Sequence, residues 1–255
     1  MTVFAGYSRY YDLLYRDKDY AGEAGYVADL IRRHAPAAKT VMEIGCGTGA
    51  HAAEMARLGF ECEGVDRSEG MLEAAEARLS SLDPELASKL SFSSGDARTV
   101  RLGRKFDAVI SLFHVMSYQA SNEDLVAAFR TAREHLRPNG VFVFDCWYGP
   151  AVLRQWPSVT EKHLADESTE VFRRAEPVIR VNENIVDVNY TVTVTDRLTG
   201  AEEVLKETHR MRYLFTPEIA LALETAGMKL IDSKGWMSGD APGFETWGAC
   251  FVGRG

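Results

Sequence analysis

The chain has 255 residues, 46% hydrophobic and 26% charged, which excludes a disordered or fibrous polymer and fits one globular domain carrying an insertion. A net charge of −8 opposes a phosphate backbone, so no nucleic acid is expected as a partner. No apolar run approaches the roughly 20 residues of a bilayer span, and the start, MTVFAGYSRYYDLLYRDKDY, lacks a basic region followed by an uninterrupted apolar segment, so a cytoplasmic protein without a membrane partner is expected.

Between Ala21 and Ala35 the apolar residues Tyr26, Val27, Leu30 and Ile31 recur at helical spacing, and Pro36 then interrupts them. Thr40 to Ile44 reads as a short buried strand, followed by a glycine-rich turn and a helix from His51 to Leu58. A strand from Cys62 to Val65 ends at Asp66 and leads into a helix from Glu69 to Leu79. The alternation continues with a strand from Leu90 to Ser93, another from Phe106 to Phe113, a helix from Asn122 to Leu136 and a strand from Val141 to Cys146. Such a series predicts a doubly wound, mainly parallel sheet covered by helices on both faces. From Gly149 to Phe215 the period changes to two in Val171 to Arg173, Ile185 to Val194 and Glu203 to Tyr213, which predicts antiparallel strands turning at Asp196 to Gly200. A helix from Pro217 to Ala226, a strand from Lys229 to Lys234 and a closing strand from Trp247 to Val252 return to the first style. The expected architecture is an α/β sheet of seven strands, the last antiparallel, with N-terminal helices and the cofactor-binding core in 1–149, a return to the core sheet in 214–255, and an antiparallel β insertion at 150–213 covering the acceptor site. An open edge of that insertion is a candidate surface for homodimer pairing.

Cys46, Cys62, Cys146 and Cys250 are scattered without metal-ligand spacing, so reduced, buried thiols and no metal are expected. Arg98, Arg101, Arg104 and Lys105 form a basic cluster that reads as a solvated loop.

The strongest chemical signal is Val41-Met42-Glu43-Ile44-Gly45-Cys46-Gly47-Thr48-Gly49. Glycines after a strand let a ligand approach the backbone, and Asp66 follows at the end of the next strand, where a carboxylate accepts hydrogen bonds from ribose hydroxyls. The spacing is Gly-x-Gly-x-Gly, without the third glycine of the dinucleotide pattern. Glu43 stands where an acid suits an α-amino group better than a pyrophosphate. Both features favour S-adenosylmethionine over a nicotinamide dinucleotide. Each residue also has a plainer explanation: Asp66 as a helix cap with Ser68, Asp96 as a turn residue, Met71 as core.

Glu43 to Gly49 resembles the class I S-adenosylmethionine-dependent methyltransferases, whose signature E/D-x-G-x-G-x-G it matches. That resemblance implies that Gly45, Cys46, Gly47 and Gly49 line the methionine and ribose portions of the cofactor, and that Asp66 and Arg67 stand at the ribose. It also implies Met71 on the adenine, Asp96 and Ala97 at its edge, and Phe113 and His114 beside the sulfonium. Tyr7 to Tyr15, Lys18-Asp19-Tyr20, Leu102 to Phe106 and Arg212 to Thr216 resemble more narrowly the N,N-dimethyltransferases of nucleotide-linked amino sugars in macrolide biosynthesis. By that pattern Tyr11 and Tyr20 close over the cofactor and the insertion covers a small-molecule acceptor. Where that family has a histidine after the fourth strand, this chain has Tyr118, with His114 four residues earlier.

His114, Tyr118 and Tyr11 are therefore the catalytic candidates, against a backbone-bonded histidine and packed aromatics. Trp147 and Tyr148 follow the fifth strand and are candidates for the acceptor wall. Alternation along the last insertion strand puts Glu207 and His209 on one face and Arg210 and Arg212 on the other. His209 and Arg210 are acceptor-binding candidates, although a solvated face explains the arginines. An amine, hydroxyl or carbon acceptor fits these residues, and a nucleotide-linked oxidoreductase or a non-catalytic binding module are the alternatives of another class.

Overall fold

The computed structural model describes residues 8–255. Tyr7, the first residue of the N-terminal resemblance, lies outside the described residues. The chain begins with α1 (Ser8–Leu14) and α2 (Tyr20–His34). Asp19 caps α2 by accepting the Gly22 amide at 2.9 Å, and Ala24, Val27, Ala28, Leu30 and Ile31 form its buried stripe. β1 (Thr40–Ile44), α3 (Ala50–Arg57), β2 (Glu61–Asp66), α4 (Glu69–Ser81), the short α5 (Pro84–Ala87) and β3 (Leu90–Ser94) follow, then β4 (Phe106–Ser111), α6 (Asn122–His135) and β5 (Leu136–Tyr148). After the insertion come α8 (Thr216–Thr225), β10 (Lys229–Gly235) and β11 (Gly248–Arg254).

These strands pair in the order β3-β2-β1-β4-β5-β11-β10, and β11, the last, runs antiparallel to β5 as expected. Along β5, Val141 and Val143 face α2 and α3, whereas Phe142 and Phe144 join Phe129 and Phe251 on the face covered by α6 and α8. Burial on both faces explains why the central strands read as apolar runs. Between β1 and β4 the chain order reverses, which opens a crevice at the carboxyl ends of those strands.

The insertion runs through α7 (Gly149–Arg154) and four strands, β6 (Thr160–Ala165), β7 (Thr169–Arg180), β8 (Ile185–Asp196) and β9 (Glu202–Leu214), as an antiparallel meander. Its last strand meets β5 in parallel at Trp147 with Tyr213 and Tyr148 with Leu214, so the meander continues over the crevice. The free edge, β6, was not predicted. Its Glu161, Lys162 and His163 are charged or polar side chains of the kind that blunt an edge.

The α1 helix falls among the expected N-terminal helices, but its bounds were not predicted. At seven residues it is too short to be stable alone and depends on tertiary contacts. Leu14 is fully buried among Leu164, Val171, Val192 and Val194 of the insertion. Asp12 accepts a hydrogen bond from the Thr48 hydroxyl at 2.7 Å and pairs with Arg78 at 2.8 Å. One short helix therefore ties the glycine turn to the insertion and roofs the crevice between them. Among the described residues no helix is long and apolar enough to cross a membrane.

Candidate active site

A cavity of about 540 Å³ occupies the crevice, walled by the ends of β1, β2, β3 and β4 on one side and by β8 and β9 on the other. Of the residues singled out in the sequence, Tyr11, Tyr20, Gly45, Cys46, Gly47, Asp66, Arg67, Met71, Asp96, Ala97, Phe113, His114, Tyr118, Trp147, His209 and Arg210 line it.

The core wall is held mainly by backbone. Gly45, Gly47 and Gly49 all have positive φ, but a side chain at each would meet different surroundings. A Cβ on Gly45 would strike Val115 and one on Gly49 would strike Phe92, whereas one on Gly47 meets nothing within 4 Å. Gly47 is thus where the missing side chain leaves room for a ligand against the backbone. Gly49 does not line the cavity; it turns the chain into α3 in the left-handed conformation, a correction to its expected ligand contact.

Asp66 accepts the Gly47 amide at 2.9 Å on one carboxylate oxygen and the Ser68 amide at 2.8 Å on the other. Ser68, not Asp66, caps α4 through the Met71 amide. Burial raises the Asp66 carboxyl, opposed by the amides of Ser68 and Gly47. The Arg67 amide also bonds the carboxylate, and with three amides on its two oxygens it keeps lone-pair capacity for a further donor.

Glu43 is not on the wall. It lies beneath the turn, 1% exposed, with one carboxylate oxygen lacking a hydrogen-bond partner, and burial together with Asp66 pushes its carboxyl up to about 8. The expected direct contact with an amino group is therefore not available in this geometry. The wall position belongs to His51, whose Nε2 lies 2.8 Å from Glu23 and whose Nδ1 lies 3.8 Å from Glu43. Beside it stands Tyr20, its ring centroid 4.8 Å from that of His51 and its buried hydroxyl without a hydrogen-bond partner.

In the basic cluster Arg101, Arg104 and Lys105 lie exposed in a loop as expected, and Arg98 alone departs from that reading. Arg98 is no solvated loop residue: it lines the cavity and grips both oxygens of Asp96, at 2.8 and 2.6 Å, while reaching Asp124 at 2.9 Å. The bond from Arg98 holds Asp96 below the usual carboxylate range despite partial burial.

After Ser111 the predicted strand breaks off early, because Phe113 and His114 both adopt φ of 64°. Two consecutive non-glycine residues in that region are strained and persist only where neighbours enforce them. Here the enforcing group is Asp145, which is 1% exposed. Its two oxygens accept the His114 amide at 3.1 and 3.2 Å, and one lies 2.6 Å from His114 Nδ1. The His114 backbone is thereby fixed at the cavity wall, its ring beside Phe113 and Trp147 and its Nδ1 close to the carboxylate without hydrogen-bond geometry.

Trp147 lines the cavity and stacks on Trp247 at 5.6 Å. Tyr148 points to the opposite face of the strand, into the core, with its hydroxyl 3.3 Å from the Thr216 hydroxyl, so it does not form the expected acceptor wall.

On the insertion side the Tyr118 hydroxyl lies 2.7 Å from His209 Nδ1, and His209 Nε2 lies 3.2 Å from Glu207. His209 is 3% exposed, and the Tyr190 ring packs edge-on against it at 4.8 Å. Arg210 borders the cavity and shares Asp187 with Arg180. Arg212, expected on a solvated face, is buried and bonded to Asn122 and Glu218 at the start of α6 and α8. Sequence reasoning missed Tyr15, His51, Asp145 and Tyr190. Asp145 left a trace, as a lone carboxylate inside the apolar run Val141-Phe142-Val143-Phe144-Asp145-Cys146.

A methyltransferase-domain family model matches residues 41–140. Over 232 residues the chain is 33% identical to the dTDP-3-amino-3,4,6-trideoxy-alpha-D-glucopyranose N,N-dimethyltransferase of Streptomyces venezuelae, covering 90% of this chain and 92% of that one. The crystal structure of Streptomyces venezuelae DesVI superposes with a TM-score of 0.80 at 30% identity, covering 98% of both chains. The S-adenosylmethionine-bound structure of CalS10, an amino pentose methyltransferase from Micromonospora echinaspora, superposes with a TM-score of 0.75 at 26% identity, covering 100% of this chain and 98% of that one.

Proposed function

The chain belongs to the S-adenosylmethionine-dependent methyltransferases, and we propose that its acceptor is the amino group of a nucleotide-linked sugar. The oxidoreductase and the non-catalytic module fall away with that membership. The observation that carries the acceptor reading is the division of one cavity between two walls of different chemistry. Gly47 and Asp66 offer an open backbone and a carboxylate for a nucleoside, whereas Trp147, Tyr118, His209 and Arg210 offer aromatic faces, hydroxyl, imidazole and cation for a second molecule. The names of the relatives, which act on dTDP-linked amino sugars, support the same reading.

The residues fit the cofactor: the Gly47 cradle is open, and the buried Tyr20 hydroxyl and the spare lone pairs of Asp66 await donors or acceptors. Asp66 would hold the ribose hydroxyls, Met71 and Ala97 the adenine, and Phe113 with Tyr11 and Tyr20 the sulfonium end. When bound, S-adenosylmethionine supplies a methyl group on a sulfonium. The chain's own work is to orient an acceptor lone pair toward that group, to exclude water through the α1 roof, and to remove the proton that an ammonium carries. Arg210 answers the negative charge of a nucleotide diphosphate.

Mass spectrometry of the protein incubated with S-adenosylmethionine and a panel of dTDP-linked amino, hydroxy and deoxy sugars tests this. Mass gains of one and two methyl substitutions on the amino sugars alone are expected. Methylation of the hydroxy sugars with none on the amines would refute the acceptor.

A further inference from the structure

Besides His51 with Glu23 beside the glycine turn, two further histidine assemblies reach the cavity, and they belong to different parts of the molecule. His114 and Asp145 are fixed by the core, and the His114 Nδ1 is turned to the carboxylate. The other assembly crosses from the short 3-10 turn at Val115–Tyr118 to β9 of the insertion. Its members are a cavity-lining phenol, a buried imidazole and a carboxylate in series, and Tyr118 and His209 are 91 residues apart in the chain.

We propose that Tyr118, His209 and Glu207 form a proton relay for the acceptor, with Tyr118 as the catalytic residue and His209 and Glu207 acting through it. This rests on the amino-sugar reading above. The hydrogen-bond pattern assigns the imidazole tautomer: Nε2 carries the proton facing Glu207, so Nδ1 is the acceptor for the Tyr118 O–H. The acceptor enters as an ammonium. Its N–H bond breaks and the proton joins the Tyr118 oxygen while the Tyr118 O–H proton passes to His209 Nδ1. The electron pair of the broken N–H bond stays on nitrogen as the lone pair that methyl transfer needs, and Tyr118 ends neutral. The positive charge comes to rest on His209 between Tyr118 and the Glu207 carboxylate.

Burial makes the arrangement durable. His209 is 3% exposed, packed against Tyr190, over whose ring Arg173 lies at 5.2 Å. Burial pushes the Tyr190 hydroxyl up to about 12, so it stays neutral. Among the groups facing His209 are Tyr118 from the 3-10 turn, Glu207 from β9 and Tyr190 from β8, with Arg173 of β7 behind the last. The meander therefore does more than cover the acceptor: it contributes the group that receives the proton.

The test is kcat and KM for a dTDP-linked amino sugar across pH, measured on the full chain and on Tyr118→Phe, His209→Gln, Glu207→Gln, Glu207→Asp and His114→Ala, beside calorimetric affinity for S-adenosylhomocysteine. Tyr118→Phe removes a single oxygen and keeps the packed ring, so it carries the decision. It is expected to lower kcat about 100-fold, to flatten the acid limb of the pH profile, and to leave S-adenosylhomocysteine affinity unchanged. Glu207→Gln is expected to lower kcat with KM nearly constant, and Glu207→Asp to recover part of it. Equal kcat in Tyr118→Phe and wild type at every pH overturns the relay and leaves the acceptor reading standing. A fall in His114→Ala with none in Tyr118→Phe also overturns it, assigning the proton to His114. A wild type that binds S-adenosylhomocysteine but methylates no amine overturns acceptor and relay together.

Discussion

The two walls of the cavity are made by different means. On the core wall, Gly47, Asp66 and Asp96 each lie within a few residues of a strand end, and local bonds do the holding: the Gly47 and Ser68 amides to Asp66, and Arg98, two residues on, to Asp96 through its amide and guanidinium. On the insertion wall, side chains from distant segments meet: Tyr118 with His209, and Asp187 with both Arg180 and Arg210. A wall built from backbone keeps its shape through most side-chain changes nearby, and a wall built from side chains changes its chemistry with each one. That difference suits a constant cofactor on one side and a particular acceptor on the other.

The largest expected effect of separating the walls is on the core side. Burial and Asp66 raise the Glu43 carboxyl to about 8. The unfolded chain releases that proton near the ordinary glutamate value of about 4.3 while the folded chain retains it. The fold is therefore free of this cost below about 4.3, loses stability as pH rises toward 8, and loses no more above that. Glu43→Gln removes the effect and is expected to stabilise the protein by on the order of 5 kcal/mol at high pH and little at low pH. Chemical denaturation at several pH values checks it, and a uniform gain or a loss at high pH would break the assignment.

Next in size, Asp66→Ala takes a charged acceptor from the amides of Gly47 and Ser68 and, on the proposed reading, from a ribose. S-adenosylhomocysteine affinity should fall by about 2 kcal/mol, roughly thirtyfold, with acceptor KM little changed. Gly47→Ala puts a Cβ at a φ of 53° in the open cradle, and a stability loss of about 1 kcal/mol with weaker S-adenosylhomocysteine binding is expected by calorimetry. The smallest effect belongs to the insertion wall. Asp187 is held below the usual carboxylate range by Arg210 and Arg180, against partial burial. Because both arginines are half exposed, Asp187→Asn should cost less than about 1 kcal/mol of fold stability. It should lower the KM of a nucleotide-linked acceptor two- to threefold by leaving Arg210 uncompensated, and an unchanged KM would detach Arg210 from the acceptor.

The same contrast explains what was legible in the sequence. The seven core strands, the glycine turn and Asp66 could be read because strand period, positive-φ glycine and a carboxylate at a strand end are local signals. Neither the bounds of α1 nor β6 could, since a helix of seven residues and a short polar edge strand acquire their form from the sheet they rest on. Gly49 and Tyr148 matched a motif or a neighbourhood but point elsewhere, one into Phe92 and the other into the core. The link from Tyr118 to His209 spans a chain separation that no local pattern encodes, and the Glu207 and His209 alternation hinted only that they share a face.

The central claim is that one cavity holds cofactor and acceptor side by side on these two walls. Calorimetric titration of a dTDP-linked amino sugar into protein already saturated with S-adenosylhomocysteine tests it most directly. Binding with full heat, and S-adenosylhomocysteine retained in the complex, is the predicted result. Displacement of S-adenosylhomocysteine by the nucleotide sugar would mean that both compete for the glycine turn, and would contradict the account.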